Sequence, residues 1–122
     1  MTTIYISGPM RGEPENGREH FERVDQALKR LGFMTVNPWA LDVLIQKDWS
    51  RREWGTPGVR EYLSQDLLHL LRADAVYVIA YDNSRGEPSL GVEAEVAVAE
   101  AANIPVYHTI EELLEAQQNE NL

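Results

Sequence analysis

Two acidic residues stand where their helices should be apolar. With a step of ~100° per residue, a helix over Gly91 to Asn103 groups Glu95 with Val92, Val98, Ala99 and Ala102, and turns Glu93 and Glu100 to the opposite side. A helix from Pro57 to about Arg72 groups Asp66 with Val59, Tyr62, Leu63, Leu70 and Ala73, while Glu61 and Ser64 face away. A buried carboxylate without a partner is costly unless it takes up a proton, so two inward acids on neighbouring helices need a physical reason. Either they share a cavity in which carboxyl chemistry is done, or they cap a neighbouring loop or pair with Arg11 or Arg60. The sequence has no cysteine. That excludes disulfides, thiolate catalysis and thiolate-held metals, and leaves a carboxylate, a hydroxyl, a lysine or a histidine as the nucleophile.

Other residues could serve the same site. Tyr5, close to the end of the first strand, can offer its phenol to a carboxylate and hold its rotamer, although strand tyrosines also serve as packing residues. The run Ser7-Gly8-Pro9-Met10-Arg11-Gly12 leaves that strand with two glycines and an arginine. Such a run suits backbone N–H groups approaching an anion and equally suits a plain turn; it is neither a GxGxxG nor a P-loop signature. Ser89 precedes the Glu95 helix, where its hydroxyl can cap the helix or, with Gly91 and the helix N-terminus, meet a phosphate. His20, His69 and His108 show no spacing that suggests a metal site or a triad. No metal and no cofactor is expected.

The elements that must position these residues follow from the apolar period, which switches repeatedly between strand-like runs and helical spacing. Thr3 to Ser7 reads as a first strand ending at Gly8-Pro9. Phe21, Val24, Leu28 and Leu31 recur at helical spacing and Gly32 offers a stop. Phe33 to Val36 reads as a second strand closed by Asn37-Pro38. Between Trp39 and Pro57 only Leu41 to Gln46 looks helical, and the rest reads as a long loop of the kind that forms functional walls or lids. The helix carrying Asp66 leads into a buried strand, Ala75 to Ala80. A polar turn follows over Asp82 to Leu90, then the Glu95 helix and a fourth strand, Ile104 to Tyr107. Thr109 with Glu112 reads as a capping box for a last helix, whose end, Gln117 to Leu122, should fray. The expected fold is α/β: a Rossmann-like or flavodoxin-like three-layer sandwich around a central parallel sheet of four to five strands. In such a sheet Gly8 to Gly12, Asn37 to Trp39 and Asp82 to Leu90 converge at the carboxyl edge, the place to look for a site.

The 122 residues, 43% of them hydrophobic, suit one domain over 1–122 with a single core. A net charge of -9 disfavours a nucleic-acid polymer as partner. A small anion would need local help from Arg11, Arg18, Arg60 or Arg85. No run is long enough to cross a bilayer and the N-terminus lacks a signal-peptide pattern, so no membrane partner and a cytoplasmic location are expected.

Taken together, Tyr5-Ile6-Ser7-Gly8-Pro9-Met10-Arg11-Gly12, Asn37-Pro38, Gln65-Asp66-Leu67 with Ala73-Asp74, and Ser89-Leu90-Gly91 through Glu95 carry a resemblance over almost the whole chain. The sequence resembles the nucleoside 2-deoxyribosyltransferase superfamily, including the 2'-deoxynucleoside 5'-phosphate N-hydrolases and their small phage and bacterial relatives. The resemblance implies Glu95 as the nucleophile, six residues after a phosphate-contacting Ser89. It implies Asp66 as the acidic partner near the base or sugar and Tyr5 as the orienting phenol. It places Gly8 and Arg11 in the phosphate loop, beside which Ser7, Met10, Gly12 and Gly91 are candidate substrate or phosphate contacts. Pro38, Trp39 and Trp54 are candidate base contacts, with packing as the other role of the tryptophans; the tryptophan-containing segment is unlike that of the better-studied hydrolases. Glu93 and Ala94 depart from the family pattern, which has a glycine and an aromatic residue there. The expected partner is a small nucleoside or nucleotide. Because related proteins complete the pocket with a second subunit, a homodimer or dimer of dimers is also implied.

The resulting expectation is an N-glycosidase acting on a (2'-deoxy)nucleoside 5'-monophosphate by hydrolysis or base exchange. Its two carboxyls would work as in retaining glycosidases, where they stand ~5 Å apart. Two rivals share the same pocket: a non-catalytic nucleotide sensor or sponge, and an enzyme attacking the nicotinamide bond of NAD.

Overall fold

The alternation in Thr3–Ser7 drives the architecture: Ile4 and Ile6 point to one side, Tyr5 and Ser7 to the other, and all four are buried. A strand buried on both faces belongs at the centre of a covered parallel sheet. The computed structural model, which describes residues 2–119, places it there as β1 (Thr3–Ser7). It is followed by α1 (Arg18–Arg30), β2 (Met34–Val36), α2 (Pro38–Arg51), α3 (Val59–Leu70), β3 (Ala75–Val78), α4 (Leu90–Ala101), β4 (Val106–Tyr107) and α5 (Ile110–Gln118). The sheet order is β2-β1-β3-β4 and every pairing is parallel. The chain leaves β1 toward β2 on one side and returns to β3 on the other, so the order reverses between β1 and β3. Such a switch point opens a crevice at the carboxyl ends of the two strands.

The two faces of β1 seed two cores. Ile4 and Ile6 pack with Phe21 and Leu28 of α1 and Leu113 of α5; Tyr5 packs with Leu70 of α3 and with Val92, Val96 and Ala99 of α4. Full burial of one such aliphatic side chain contributes about 1.5–3 kcal/mol. The α/β three-layer fold expected from the sequence is present, with four strands.

Several boundaries differ from the sequence expectation for local reasons. The largest correction concerns 39–57, which is mostly helix. The Asn37 side chain accepts from Trp39 N at 3.0 Å and Pro38 occupies the first turn, a strong start signal. Asp48 then pairs with Arg51 and Arg52 at the far end, leaving only 52–58 as connection. The helix was hard to read because apolar residues lie on its outer side too: Leu44 is 62% exposed. In α3 the helix starts at Val59, after Gly58, whose N–H is taken by the Glu61 carboxylate at 3.0 Å. Val59 itself is 61% exposed, not inward. β4 is shortened because Ile104 N still bonds Ala99 O at the end of α4 and Pro105 has no N–H to offer. Thr109 caps α5 by accepting from Glu112 N, but the Glu112 carboxylate accepts from His108 N, one residue before the expected partner. Gln117 and Gln118 are helical; residues 120–122 of the expected frayed end lie outside the described residues. Among the described residues no helix is long and apolar enough to cross a membrane.

Candidate active site

Strand alternation puts Tyr5 and Ser7 on the same face of β1, opposite Val76 and Val78 of β3 at the switch point. After β3 the chain passes through the 82–89 turn, where Ser89 N bonds Tyr81 O, and enters α4 with the Ser89 hydroxyl accepting from Val92 N at 3.3 Å. This start sets the rotation of α4. Val92, Glu95, Val96 and Ala99 turn inward, and Glu93 and Glu100 face solvent.

Glu95 therefore projects onto β1 and is only 7% exposed. Its Oε1 accepts from Ser7 Oγ at 2.9 Å and its Oε2 accepts from the Tyr5 phenol. Two donors on two different oxygens fix both the position and the plane of the carboxylate, and each oxygen keeps a lone pair. Burial pushes the Glu95 carboxyl up to about 7, while the Tyr5 and Ser7 hydroxyls pull the other way. Burial, followed by the neighbouring Glu95 charge, holds the Tyr5 phenol well above its ordinary value. It stays a donor.

Asp66 enters from α3. Burial first, then the charges of Asp42 and Glu95, push it up to about 8, so near pH 7 it is mainly protonated. Its Oδ1 is buried and has no hydrogen-bond partner. The third acid, Asp42, comes from α2; burial pushes it to about 6, and its Oδ1 is likewise buried and unpartnered. Gln65 Nε2 donates to Leu41 O at 2.8 Å and Gln46 Nε2 to Tyr62 OH at 2.9 Å. These pairs run antiparallel along α2 and α3 and pack the two helices together, and the Asp42 charge is near enough to act on Asp66. Sequence reading missed Asp42 because the helical stretch it recognised, Leu41 to Gln46, is too short to show an apolar stripe, and the rest of the helix read as loop. A wheel over the true helix would have shown Asp42 on the stripe of Pro38, Leu41, Ile45 and Trp49.

The remaining expected residues divide. Ser7 is fully buried with its hydroxyl on Glu95, so its side chain orients the carboxylate where a phosphate contact was expected. Met10 packs into the α1-side core. Gly8 lies tight against Ile79 and Phe21, where an added Cβ would come within 3.2 Å of Ile79. Arg11, Gly12 and Gly91 are exposed, and Arg11 forms no salt bridge among the described residues. Neither Arg11 nor Arg60 pairs with Glu95 or Asp66. Pro38 is buried at the start of α2. Trp39 donates its indole N–H to Glu15 O at 3.2 Å with Arg18 over its ring. Trp54, 57% exposed, packs edge-on against Trp49 and under Arg52 beyond the end of α2, twelve residues along the chain from Asp42.

A cavity of about 270 Å³ lies on the other side of β1, between the 9–21 segment and residues 79–84. Glu95, Asp66 and Asp42 do not line it, whereas Glu13 and Asp82 do. Acidic lining residues do not suit an anion, and this cavity is separate from the three carboxyls.

A doubly wound parallel sheet with a buried, hydroxyl-held glutamate at its switch point describes a class of α/β protein, and two solved structures share the fold. One is a 2-deoxyribosyltransferase from Leishmania mexicana, with a TM-score of 0.65 and 21% identity over 87% of this chain and 62% of that one. The other is a 2-deoxyribosyltransferase from the psychrotolerant bacterium Bacillus psychrosaccharolyticus, with a TM-score of 0.57 and 24% identity over 86% of this chain and 69% of that one. The chain thus spans under two thirds of the Leishmania protein's length. No curated protein sequence matches it significantly. By sequence the chain belongs to the family described as a domain of unknown function (DUF4406), which matches residues 2–108.

Proposed function

We propose that this protein is an N-glycosidase that cleaves the base–sugar bond of a (2'-deoxy)nucleoside 5'-monophosphate through Glu95, by hydrolysis or base exchange. The observation that carries this reading is the Glu95 carboxylate itself, buried at the switch point with Tyr5 and Ser7 on its two oxygens. A structural acid in that position would be expected to find a cation, and none pairs with it among the described residues. The shared fold with two 2-deoxyribosyltransferases points the same way.

The steps follow from the two protonation states. Ionised Glu95 attacks the anomeric carbon, the C–N bond breaks with its electron pair going to the base, and Asp66 gives that base its proton. A glycosyl ester on Glu95 results. Water, or the ring N–H of a second base, gives its proton to the Asp66 carboxylate as its oxygen or nitrogen attacks the same carbon and frees Glu95 with overall retention. The exposed Arg11 and the α4 N-terminus at Ser89–Gly91 support a phosphate on the sugar, whose binding would place the anomeric carbon against the carboxylate. In this reading a second copy of the chain completes the pocket, as a homodimer or a dimer of dimers.

Incubation with deoxynucleoside monophosphates, ribonucleoside monophosphates, free nucleosides and NAD, followed by chromatography of the released base, tests the reading. Release from a monophosphate is expected, with at least a thousand-fold loss in Glu95→Ala, as for removal of other covalent nucleophiles. Tight nucleotide binding with no released base would replace the enzyme by a binding protein.

A further inference from the structure

Three helices bring three carboxyls together, and the mechanism above uses two. The Gln65–Leu41 bond ties α2 to α3 next to Asp42 and Asp66 in the chain, and each of these aspartates keeps a buried Oδ1 without a hydrogen-bond partner. The charged or ionisable groups that act on Asp66 are Asp42 from α2, Glu95 from α4 and the Tyr5 phenol from β1. No lysine, arginine or histidine makes a salt bridge with any of the three carboxyls among the described residues. Like charges crowded without a cation cannot all ionise, and the protons go to the members whose ionised form is least supported.

Hydrogen bonding sets Glu95 apart from the two aspartates, and depth of burial separates the aspartates from each other. Glu95 has a donor on each oxygen, which favours its ionised form. Asp66 Oδ1 has none. Asp42 also has an orphan oxygen but is less deeply buried, and it is ionised near neutral pH. We propose that Asp42 is a positioning residue of this site, whose charge keeps the transferable proton on Asp66 and so sets which carboxyl is the acid and which the nucleophile. This rests on the glycosidase reading for its purpose, though not for the coupling itself.

The isosteric Asp42→Asn removes the charge and little else. In the substrate-free protein labelled at aspartate Cγ, the Asp66 carbon resonance, identified by its loss in Asp66→Asn, should titrate at lower pH in Asp42→Asn than in wild type, while burial, the larger cause, still holds it above the ordinary carboxylate range. In base-release assays both limbs of the pH profile should move down with it, so activity falls several-fold at pH 8 and is largely retained at pH 6. Asp42→Glu, which restores the charge, should return the profile toward that of the wild type. A merely structural role would lower kcat evenly across pH without moving either limb. An Asp66 titration unchanged by Asp42→Asn overturns the proposal. If no nucleoside yields base, the glycosidase reading fails, and the titration alone still decides whether Asp42 governs the Asp66 proton.

Discussion

At the scale of single residues, what surrounds each carboxyl sets its role. The Tyr5 phenol and the Ser7 hydroxyl both donate to Glu95, and a hydrogen bond to a charged group is worth about 1.5–3 kcal/mol. Tyr5→Phe is therefore expected to lower kcat by roughly 10- to 100-fold. It should also move the acid limb of the pH profile upward, because a donor that stabilised the ionised carboxylate is gone. Steady-state rates from pH 5 to 9 check both effects; an even loss with no shift would mean that Tyr5 only packs. Glu95 and Asp66 were legible in the sequence because a charge on the apolar side of a regular helix breaks a strong period. Ser7 was placed correctly at the strand end but its partner was not visible, since a serine in a strand carries no sign of what it faces. Asp42 stayed hidden, because in α2 the apolar residues Leu44 and Ile45 lie next to each other on different sides and blur the stripe.

At the scale of elements, the start of α4 and the α2–α3 pair position the site. Ser89 caps α4, and that cap alone would explain its place in the sequence; the proposed phosphate contact is a separate claim. Ser89→Ala should cost about 1 kcal/mol of stability in urea unfolding. Ser89→Asp keeps a good cap and so should keep stability, but its negative charge should raise KM for a nucleoside monophosphate while leaving the free nucleoside nearly unaffected. Equal effects on the two substrates would leave Ser89 as a cap only. The switch between strand and helical periods, together with caps such as Asn37-Pro38 and Thr109, made most elements readable. Boundaries were less so, because Pro105 and the Ile104–Ala99 bond shorten β4 in ways that depend on neighbouring chain.

At the scale of the whole molecule, the buried acids tie stability to pH. Asp42, Glu95 and Asp66 are raised to about 6, 7 and 8, against about 4 for carboxyls in an unfolded chain. Between these limits the folded protein binds more protons than the unfolded chain, so stability is fullest below pH 4 on this account and falls as pH rises through 6 to 8. The overall negative charge acts in the same direction over that range. The ligand-free protein should thus melt several degrees higher at pH 5 than at pH 8, and Asp66→Asn should narrow the difference; a melting point that is level or rises with pH would contradict it. The layer architecture was legible because strands buried on both faces and amphipathic helices alternate along the chain. Strand order was not, since the β2-β1-β3-β4 arrangement depends on pairings between distant segments. That arrangement is what sets Glu95 against β1 at the switch point. The central claim is that Glu95 there becomes bonded to the sugar. A 2'-fluoro-arabinonucleoside 5'-monophosphate, whose fluorine slows breakdown of a glycosyl ester, tests it when mixed with the protein and followed by intact-mass and peptide mass spectrometry. The account predicts one fluorosugar phosphate per chain on the peptide containing Glu95, absent in Glu95→Gln; base release with the adduct on another residue, or an undiminished adduct in Glu95→Gln, would contradict it.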